Sequence, residues 1–586
     1  MPKLSSRHGR SRPTLLPGDA GPAVSQEIRT LFQKFSSNGC MHASHFCKFL
    51  NEVQQDTDVL TEAQASELMK SCLNALPEPQ VNEKQFLLYL FDTQLNFAIR
   101  NQIHQDMNLP LSHYYIFTGH NSYLTGNQLS SKSSEKPIIK ALQKGVRVVE
   151  LDLWPGNNED INVVHGRTLT SPVTFEACIS AIKENAFVKS QYPLIITLED
   201  HLPVNLQAKA AKVIMDTFGS QLWYPPPTQE LAQFPSPWEL KGKILISTKP
   251  PKECRQASIK SRYAEQNSDS SDRLWDEEDD IDDDKDKPPE QRKFVSQDYM
   301  KIIAIRQGKM EKSLSGTLRV EEHAKRISLS EPQLSKIAES SPATVVQFTR
   351  DNILRVYPRG WRVDSSNYNP VKAWLLGAQM VAVNIQGYGK HLWVAQGLFR
   401  ANGGCGYVKK PNFLISNDST SSFNYNSKAS TLEVKQMLKV KVCMGCGWRE
   451  QLGEDSFDKS SPPDFFARVG IAGVKADKVM MERAMKKDEW EPSWDEEFVF
   501  TLRVPELAVL RIEVQEDNRT GQEFAGQICL PVSELRAGYR VVNLCDTKGN
   551  TWDLVKLLLH IDLSYSSSSW FHTNRHYKKT TRCPIL

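Results

Sequence analysis

Glu150 and Asp152 stand two residues apart in the run VVELDLW, alternating with Val149, Leu151 and Leu153. On a β-strand that spacing puts both carboxylates on one face and the aliphatic residues on the other. Two acids on one face repel each other unless a cation lies between them. A third carboxylate, Glu199, closes the apolar run IITLED, and Asn121 follows His120 where IFTG gives way to polar residues. Three carboxylates and an amide oxygen form a hard, all-oxygen set that suits calcium or magnesium and not zinc. His120 and His165 are then left for proton transfer or for stabilising developing charge. Each residue also has a plainer reading: paired acids suit a solvated face, and a histidine at a strand end suits a structural hydrogen bond. The convergence of all six on strand ends favours a site.

These side chains need elements to carry them. From His113 to Lys249, the runs VRVVELDLW, INVVHG, PLIITLED and GKILIST read as strands, and TFEACISAIKENAF and NLQAKAAKVIMDTFG as amphipathic helices. Repeated strand-helix units imply a mostly parallel sheet, hence a barrel or a doubly wound fold. In a barrel, the six residues would lie at the C-terminal ends of parallel strands, where barrel active sites form. The pattern is interrupted by SDSSDRLWDEEDDIDDDKDKPPE, a like-charge block expected to stay disordered. Strand-like runs resume at MKIIAIR, QMVAVNIQ and LWVAQGLF, so one catalytic fold with an acidic insertion is the economical reading. After about Ser430, TLEVKQMLKVKVCM, DFFARVGIAG, EEFVFTLRV, AVLRIEVQE, YRVVNL and VKLLLHIDL follow one another as in a two-sheet sandwich. Before the barrel, EIRTLFQKF, HFCKFLNEV and EKQFLLYLF predict a small helical domain that acts as a structural prop. Its SSNGCMHASHF segment has the turn of a calcium-binding helix-loop-helix hand but none of the acidic ligands, so no calcium is expected there.

The composition narrows the class of protein. A net charge of +3 over 586 residues gives no case for nucleic acid. No run approaches the roughly 18 to 20 apolar residues that span a bilayer. The basic start lacks the apolar core of a secretory signal. The 11 cysteines are scattered, which fits a reducing compartment. The CxxC at Cys443 and Cys446 has no second ligand pair nearby and reads as ordinary strand and loop.

GHNSYLTGNQL, ELDLWP, VVHGRTLTSPV and ITLEDH resemble the X half of eukaryotic phosphoinositide-specific phospholipase C, and LRVYPRGWRVDSSNYNP with FRANGGCGYVKKP resembles its Y half. The absence of an N-terminal pleckstrin-homology domain, with ISTKPPKE and PPDFFARVGIAG, resembles the plant type. The resemblance implies a multidomain chain: an EF-hand-like helical domain over 24–107, a split TIM-type (β/α)8 barrel with its X half over 108–251 and its Y half over 298–414, and a C2-type sandwich over 430–564. A tail over 1–23, an acidic linker over 252–297 and a basic tail over 565–586 complete it. It further implies calcium-dependent hydrolysis of phosphatidylinositol 4,5-bisphosphate and related lipids to diacylglycerol and inositol phosphates, through a cyclic phosphodiester. Carried over residue by residue, calcium would be held by Asn121, Glu150, Asp152 and Glu199. His120 would stabilise the transition state, Glu150 would act as base and His165 as general acid. The head group would be met by Lys249, Ser328, Arg355 and Tyr357. Ser247 stands where animal members carry a second lysine, which removes one cation from head-group selection.

In the sandwich, Asp458, Asp464, Asp517 and Glu523 match calcium-loop positions, although DNRTGQEFAG is one residue short. Calcium-driven docking and a sandwich that binds little calcium both remain open. The tail ends Cys583-Pro-Ile-Leu, a C-a-a-X pattern preceded by Arg575, Lys578, Lys579 and Arg582, so a prenylated anchor and a plain solvated tail are also both open. The implied partners are a phosphoinositide lipid and a membrane surface; the sequence names no protein partner. With the cysteine usage and the missing membrane-spanning run, this implies a cytoplasmic enzyme peripheral at the inner face of the plasma membrane. Two rival functions are a glycerophosphodiesterase-like barrel and a catalytically weak lipid-binding scaffold; the second-half motifs weigh against the first and the full site set against the second.

Overall fold

The computed structural model describes residues 26–56, 61–72, 80–226, 231–250, 296–416, 433–457, 462–482, 489–518 and 521–565. The expected N-terminal tail, the acidic insertion, Asp458 and the basic tail with Cys583 lie outside these described residues. The chain forms two compact units, one from residues 101–431 and one from residues 1–100 together with 432–586.

The first unit is built on eight parallel strands: β1 (Tyr114–Gly119), β2 (Val148–Pro155), β3 (Leu194–Asp200), β4 (Ile244–Thr248), β5 (Ile303–Arg306), β6 (Arg326–Ser330), β7 (Ile353–Tyr357) and β8 (Met380–Val383). They neighbour one another in the order β5-β4-β3-β2-β1-β8-β7-β6. A parallel bridge between Gln307 and Arg326, with Gly308 N–H donating to Arg326 O at 2.8 Å, closes the ring between β5 and β6. Because helices cover the outside and side chains fill the inside, strands such as YYIFTG are buried at every position and carry no polar alternation. The covering helices include Glu135–Gln143, Phe175–Asn185 and Val204–Phe218. Ser134 and Thr174 cap the first two, their hydroxyls accepting from Lys136 N and Ala177 N. The acidic insertion leaves the barrel at the C-terminal end of β4 and returns through the helix Gln297–Ile302 into the adjacent β5.

Three local expectations are corrected. LWVAQGLF lies in a helix, Lys390–Leu398, whose Leu392, Trp393, Val394, Ala395 and Leu398 are all buried. A helix apolar all round has no periodicity to separate it from a buried strand. MKIIAIR divides between the end of a helix and β5. INVV supplies only the short strand Ile161–Val163, which pairs antiparallel with the outer end of β2 and is no barrel stave.

The second unit joins the N-terminal helices to the sandwich. Helices Gln26–Lys34, Ala43–Glu52, Glu62–Cys72 and Glu83–Phe91 are tied by an antiparallel pair, Cys40–His42 with Gln80–Asn82. The sandwich is one eight-stranded antiparallel set between Gln436 and Tyr565. The two expected domains share a core: Phe46, Phe49 and Phe86 pack in one cluster with Cys443, Cys446, Val541 and Leu558. Buried polar ties reinforce it, as Gln54 Nε2 donates to Tyr539 O at 2.7 Å and Arg540 pairs with Asp56 at 2.7 Å. The cysteines of the CxxC therefore face apolar helices, and burial pushes the Cys446 thiol up to about 12.

Candidate active site

The register of the barrel assembles the acidic set. In β2 and β3, Glu150 lies beside Thr197 and Asp152 beside Glu199. Oxygen atoms of Glu150, Asp152 and Glu199 all come within 4.8 Å of one another. Glu150 and Asp152 are each 3% exposed, so their charges are poorly screened by water. Burial first, and then Glu199 and Glu150, holds the Asp152 carboxyl well above the usual carboxylate range. Its Oδ2 accepts from the Tyr123 hydroxyl at 2.6 Å, while its buried Oδ1 has no hydrogen-bond partner among the described residues. A divalent cation with oxygen preference fits this cluster: it meets the orphaned oxygen and relieves the repulsion.

Asn121 is placed by an unusual backbone. Its φ of 41° is left-handed, a region that asparagine tolerates better than most residues. That turn brings its N–H to Glu150 Oε2 at 3.2 Å, and its Nδ2 donates to Gln128 Oε1 at 2.9 Å. The amide oxygen is thereby the group left to ligate.

Each histidine is fixed through Nδ1. His165 Nδ1 is 2.7 Å from the carbonyl of Gln128, so that nitrogen carries the hydrogen and Nε2 remains for proton transfer. Gly166 is required beside it, because a Cβ there would lie 2.0 Å from the Trp154 ring. His120 Nδ1 is 3.0 Å from Asn384 Oδ1. Asn384 Nδ2 is spent on the Ser366 carbonyl at 3.3 Å and its Oδ1 also receives Gln128 Nε2 at 3.1 Å, so the Oδ1 accepts from His120. Burial holds the His120 imidazole below its ordinary pKa against the pull of Glu150. Glu199 meets His201 at 3.1 Å, and the His201 ring stacks on Trp154 at 4.0 Å.

Cations line the other side of the barrel. Arg355 in β7 reaches across to pair with Glu150, its guanidinium lies 5.3 Å from the Tyr357 ring, and its buried Nε has no partner among the described residues. Ser328, beside Arg355 in register, holds a buried hydroxyl that is likewise unpartnered. Lys249 follows β4 and is exposed.

Comparison with known proteins decides what this site belongs to. Residues 107–250 match the family model for the phosphatidylinositol-specific phospholipase C X domain, residues 300–413 match its Y domain and residues 436–545 match the C2 domain. The chain is 46% identical over 558 residues to phosphoinositide phospholipase C 2 of Arabidopsis thaliana, covering 92% of this chain and 96% of that protein. The chain belongs to the phosphoinositide phospholipase C family. It is 31% identical over 551 residues to the 1-phosphatidylinositol 4,5-bisphosphate phosphodiesterase delta-3-A of Danio rerio, covering 91% of this chain and 68% of that one. The crystal structure of PLC21 from L. pealei superposes with a TM-score of 0.72 at 25% identity, over 94% of this chain and 70% of that chain. The expected plant-type phosphoinositide phospholipase C, with its split TIM-type barrel and C2-type sandwich, is thus borne out, and the site above lies in its hydrolytic barrel.

Within this phospholipase, His120, Asn121 and Glu199 sit at the C-terminal ends of barrel staves as expected, Glu150 and Asp152 lie within β2 as its third and fifth residues, and His165 is on no stave. It follows the short antiparallel strand instead, and reaches the site through its bond to Gln128. In the sandwich, Asp517 pairs opposite Gln522 and Glu516 opposite Glu523, in a ladder that continues to Asn518 and Gly521. Neighbouring strand positions face opposite ways, so Asp517 and Glu523 project from opposite faces of this hairpin. Asp464 O accepts from Asp517 N at 3.0 Å, but among the described residues the carboxylates that gather as metal ligands are those of the barrel.

Four site residues of the phospholipase carried no sequence signal: Tyr123, Gln128, Asn384 and Arg326. Arg326 in β6 is fully buried and spans the barrel, with Nη1 3.4 Å from the Thr197 hydroxyl and Nη2 bonded to Gln307. Thr197 neighbours Ser247 in register, so the guanidinium bonded to Thr197 lies one strand from that serine.

Proposed function

We propose that this enzyme cleaves phosphoinositides with calcium held by Asn121, Glu150, Asp152 and Glu199, and prefers phosphorylated head groups. The unpartnered Asp152 Oδ1, in a carboxylate triad whose Glu150 and Asp152 are buried, is the observation that carries the metal. Bound there, calcium lowers the pKa of the inositol 2-hydroxyl and offsets phosphoryl charge. Glu150 takes the proton of that hydroxyl, and its oxygen attacks phosphorus. His165 gives a proton to the departing diacylglycerol oxygen from Nε2, and the cyclic phosphodiester is then opened by water with the proton transfers reversed. His120, its Nδ1–H held by Asn384, takes a second proton from solvent on Nε2 as phosphoryl charge raises its affinity for one, and donates that Nε2–H to the phosphoryl oxygen. Lys249, Ser328 and Arg355 meet the head-group phosphates, Tyr357 lies against the inositol ring, and Arg326 supplies the cation that Ser247 does not.

The enzyme works seated on a membrane. The main-chain N–H of Leu169 donates to Leu129 O, and that of Gln128 to Val363 O, each at 2.8 Å, which joins these loops into one rim. Leu129, Leu169, Trp361 and Val363 are exposed there, Leu169 by 80% and Trp361 by 60%, with Arg359 and Arg362 within 5.3 Å of the Trp361 ring. Apolar tips flanked by arginines suit an anionic lipid surface. No helix among the described residues is long and apolar enough to cross a membrane. Docking through this rim supports a peripheral enzyme, and phosphoinositide substrates favour the inner face of the plasma membrane.

The test is calcium-dependent release of soluble inositol phosphates from vesicles of phosphatidylinositol, its 4-phosphate and its 4,5-bisphosphate. His120→Ala and His165→Ala should each lower turnover on the order of 10² to 10⁴-fold. Calcium-independent turnover, or none on any of the three lipids, would overturn this reading.

A further inference from the structure

Gln128 is 6% exposed, lies on no regular element and touches none of the acidic ligands, yet both ends of its side-chain amide and its main-chain carbonyl are engaged with the site. Its Oε1 accepts from Asn121 Nδ2 at 2.9 Å. Its Nε2 donates to Ser365 Oγ at 2.8 Å and to Asn384 Oδ1 at 3.1 Å, the atom that receives His120 Nδ1 at 3.0 Å. Its main-chain carbonyl accepts from His165 Nδ1 at 2.7 Å. An amide is the side chain that can do this, because it offers an acceptor and a two-hydrogen donor on one rigid plane. Reversing it would set its NH2 against Asn121 Nδ2 and its oxygen against Asn384 Oδ1, so the network holds a single orientation.

We propose that Gln128 is the positioning residue of this active site, turning the Asn121 oxygen towards the metal ligands and fixing His120 through Asn384. The inference rests on the calcium-dependent reading above. The carbonyl bond to His165 belongs to the same residue but survives any side-chain substitution, which separates the two histidines experimentally. The side chain has two arms: the Oε1 arm serves the metal, and the Nε2 arm serves His120.

The variants follow from the arms. Gln128→Glu keeps the acceptor and loses the donor; Gln128→Ala loses both. The readouts are calcium affinity by titration calorimetry, kcat and KM on phosphatidylinositol 4,5-bisphosphate vesicles, and the thermal midpoint. Gln128→Ala is expected to weaken calcium binding and lower kcat, each by about 10 to 100-fold as for other groups that orient metal ligands, with KM within about twofold. Gln128→Glu is expected to keep calcium affinity within about threefold and still lose kcat by about tenfold or more, since misplacement of a reacting group is costly at short range. A residue that merely fills space would shift both midpoints and leave kcat per folded molecule intact, and that result would overturn the inference. Equal loss of calcium affinity in both variants would also overturn it, by removing the division between arms. A wild type that turns over without calcium would instead overturn the reading on which the inference rests.

Discussion

The guanidinium of Arg355 is paired with the carboxylate of Glu150 across the lumen of the barrel, with both side chains under a tenth exposed. The group proposed to meet the substrate phosphate and a group proposed to hold the metal are therefore in contact. Removing one member of a buried pair strands the charge of the other, at a cost of about 3 to 5 kcal/mol. Arg355→Met should lower the stability of the metal-free enzyme by that amount and enlarge the stabilisation that calcium confers. Thermal unfolding with and without chelator measures both, and an unchanged calcium increment would refute the coupling.

Calcium should stabilise the enzyme more strongly as pH rises. The Asp152 carboxyl is raised from 3.8 by burial, then by Glu199 and Glu150, so above 3.8 the folded state holds a proton that the unfolded chain has released. Native proton uptake of this kind gives stability that is present at low pH and lost as pH climbs towards the folded value. A cation that displaces the proton cancels the loss. The shift in melting temperature on adding calcium should grow as pH rises from 3.8 towards neutrality. A shift that is flat or shrinks with pH would contradict this.

Arg326 should discriminate among head groups. A charged hydrogen bond contributes about 1.5 to 3 kcal/mol, so Arg326→Gln should reduce the preference for the bisphosphate over phosphatidylinositol by roughly tenfold in kcat/KM. Equal falls on the two lipids would show that this arginine acts on folding alone.

Substitutions at the rim should separate grip from chemistry. Leu169→Ser and Trp361→Ala each remove an exposed apolar side chain, and each should weaken vesicle partitioning by about tenfold, given about 1.5 to 3 kcal/mol for burying such a group. Hydrolysis of a soluble inositol cyclic phosphate should be unchanged. If soluble turnover falls in step with partitioning, the rim does more than dock.

The part of the site legible in the sequence is the part whose meaning is local. Glu150 and Asp152 announce themselves by a two-residue spacing on one strand, and Glu199 by its place at a strand end. The left-handed turn at Asn121 follows the boundary between apolar and polar residues. Gln128 and Asn384 are 256 residues apart, and Arg326 is 129 residues from Thr197; such pairs acquire meaning when strands close into a ring. LWVAQGLF misleads for a related reason, because complete burial erases the periodicity that distinguishes helix from strand. The helical segment and the sandwich also read as separate domains, since nothing local in FLNEV or GYRVV says that Gln54 will be bonded to Tyr539.

One stretch, residues 120–129, holds both His120 and the exposed Leu129, with Gln128 between that tip and the two histidines. Leu129 is the covalent neighbour of Gln128, which is bonded in turn to Val363, Asn121 and Asn384. Through Gln128, the exposed Leu129 is thus one covalent bond and one or two hydrogen bonds from each imidazole. The rim proposed to meet lipid and the site proposed to cleave it therefore share one run of chain, so a substitution within 120–129 bears on both at once.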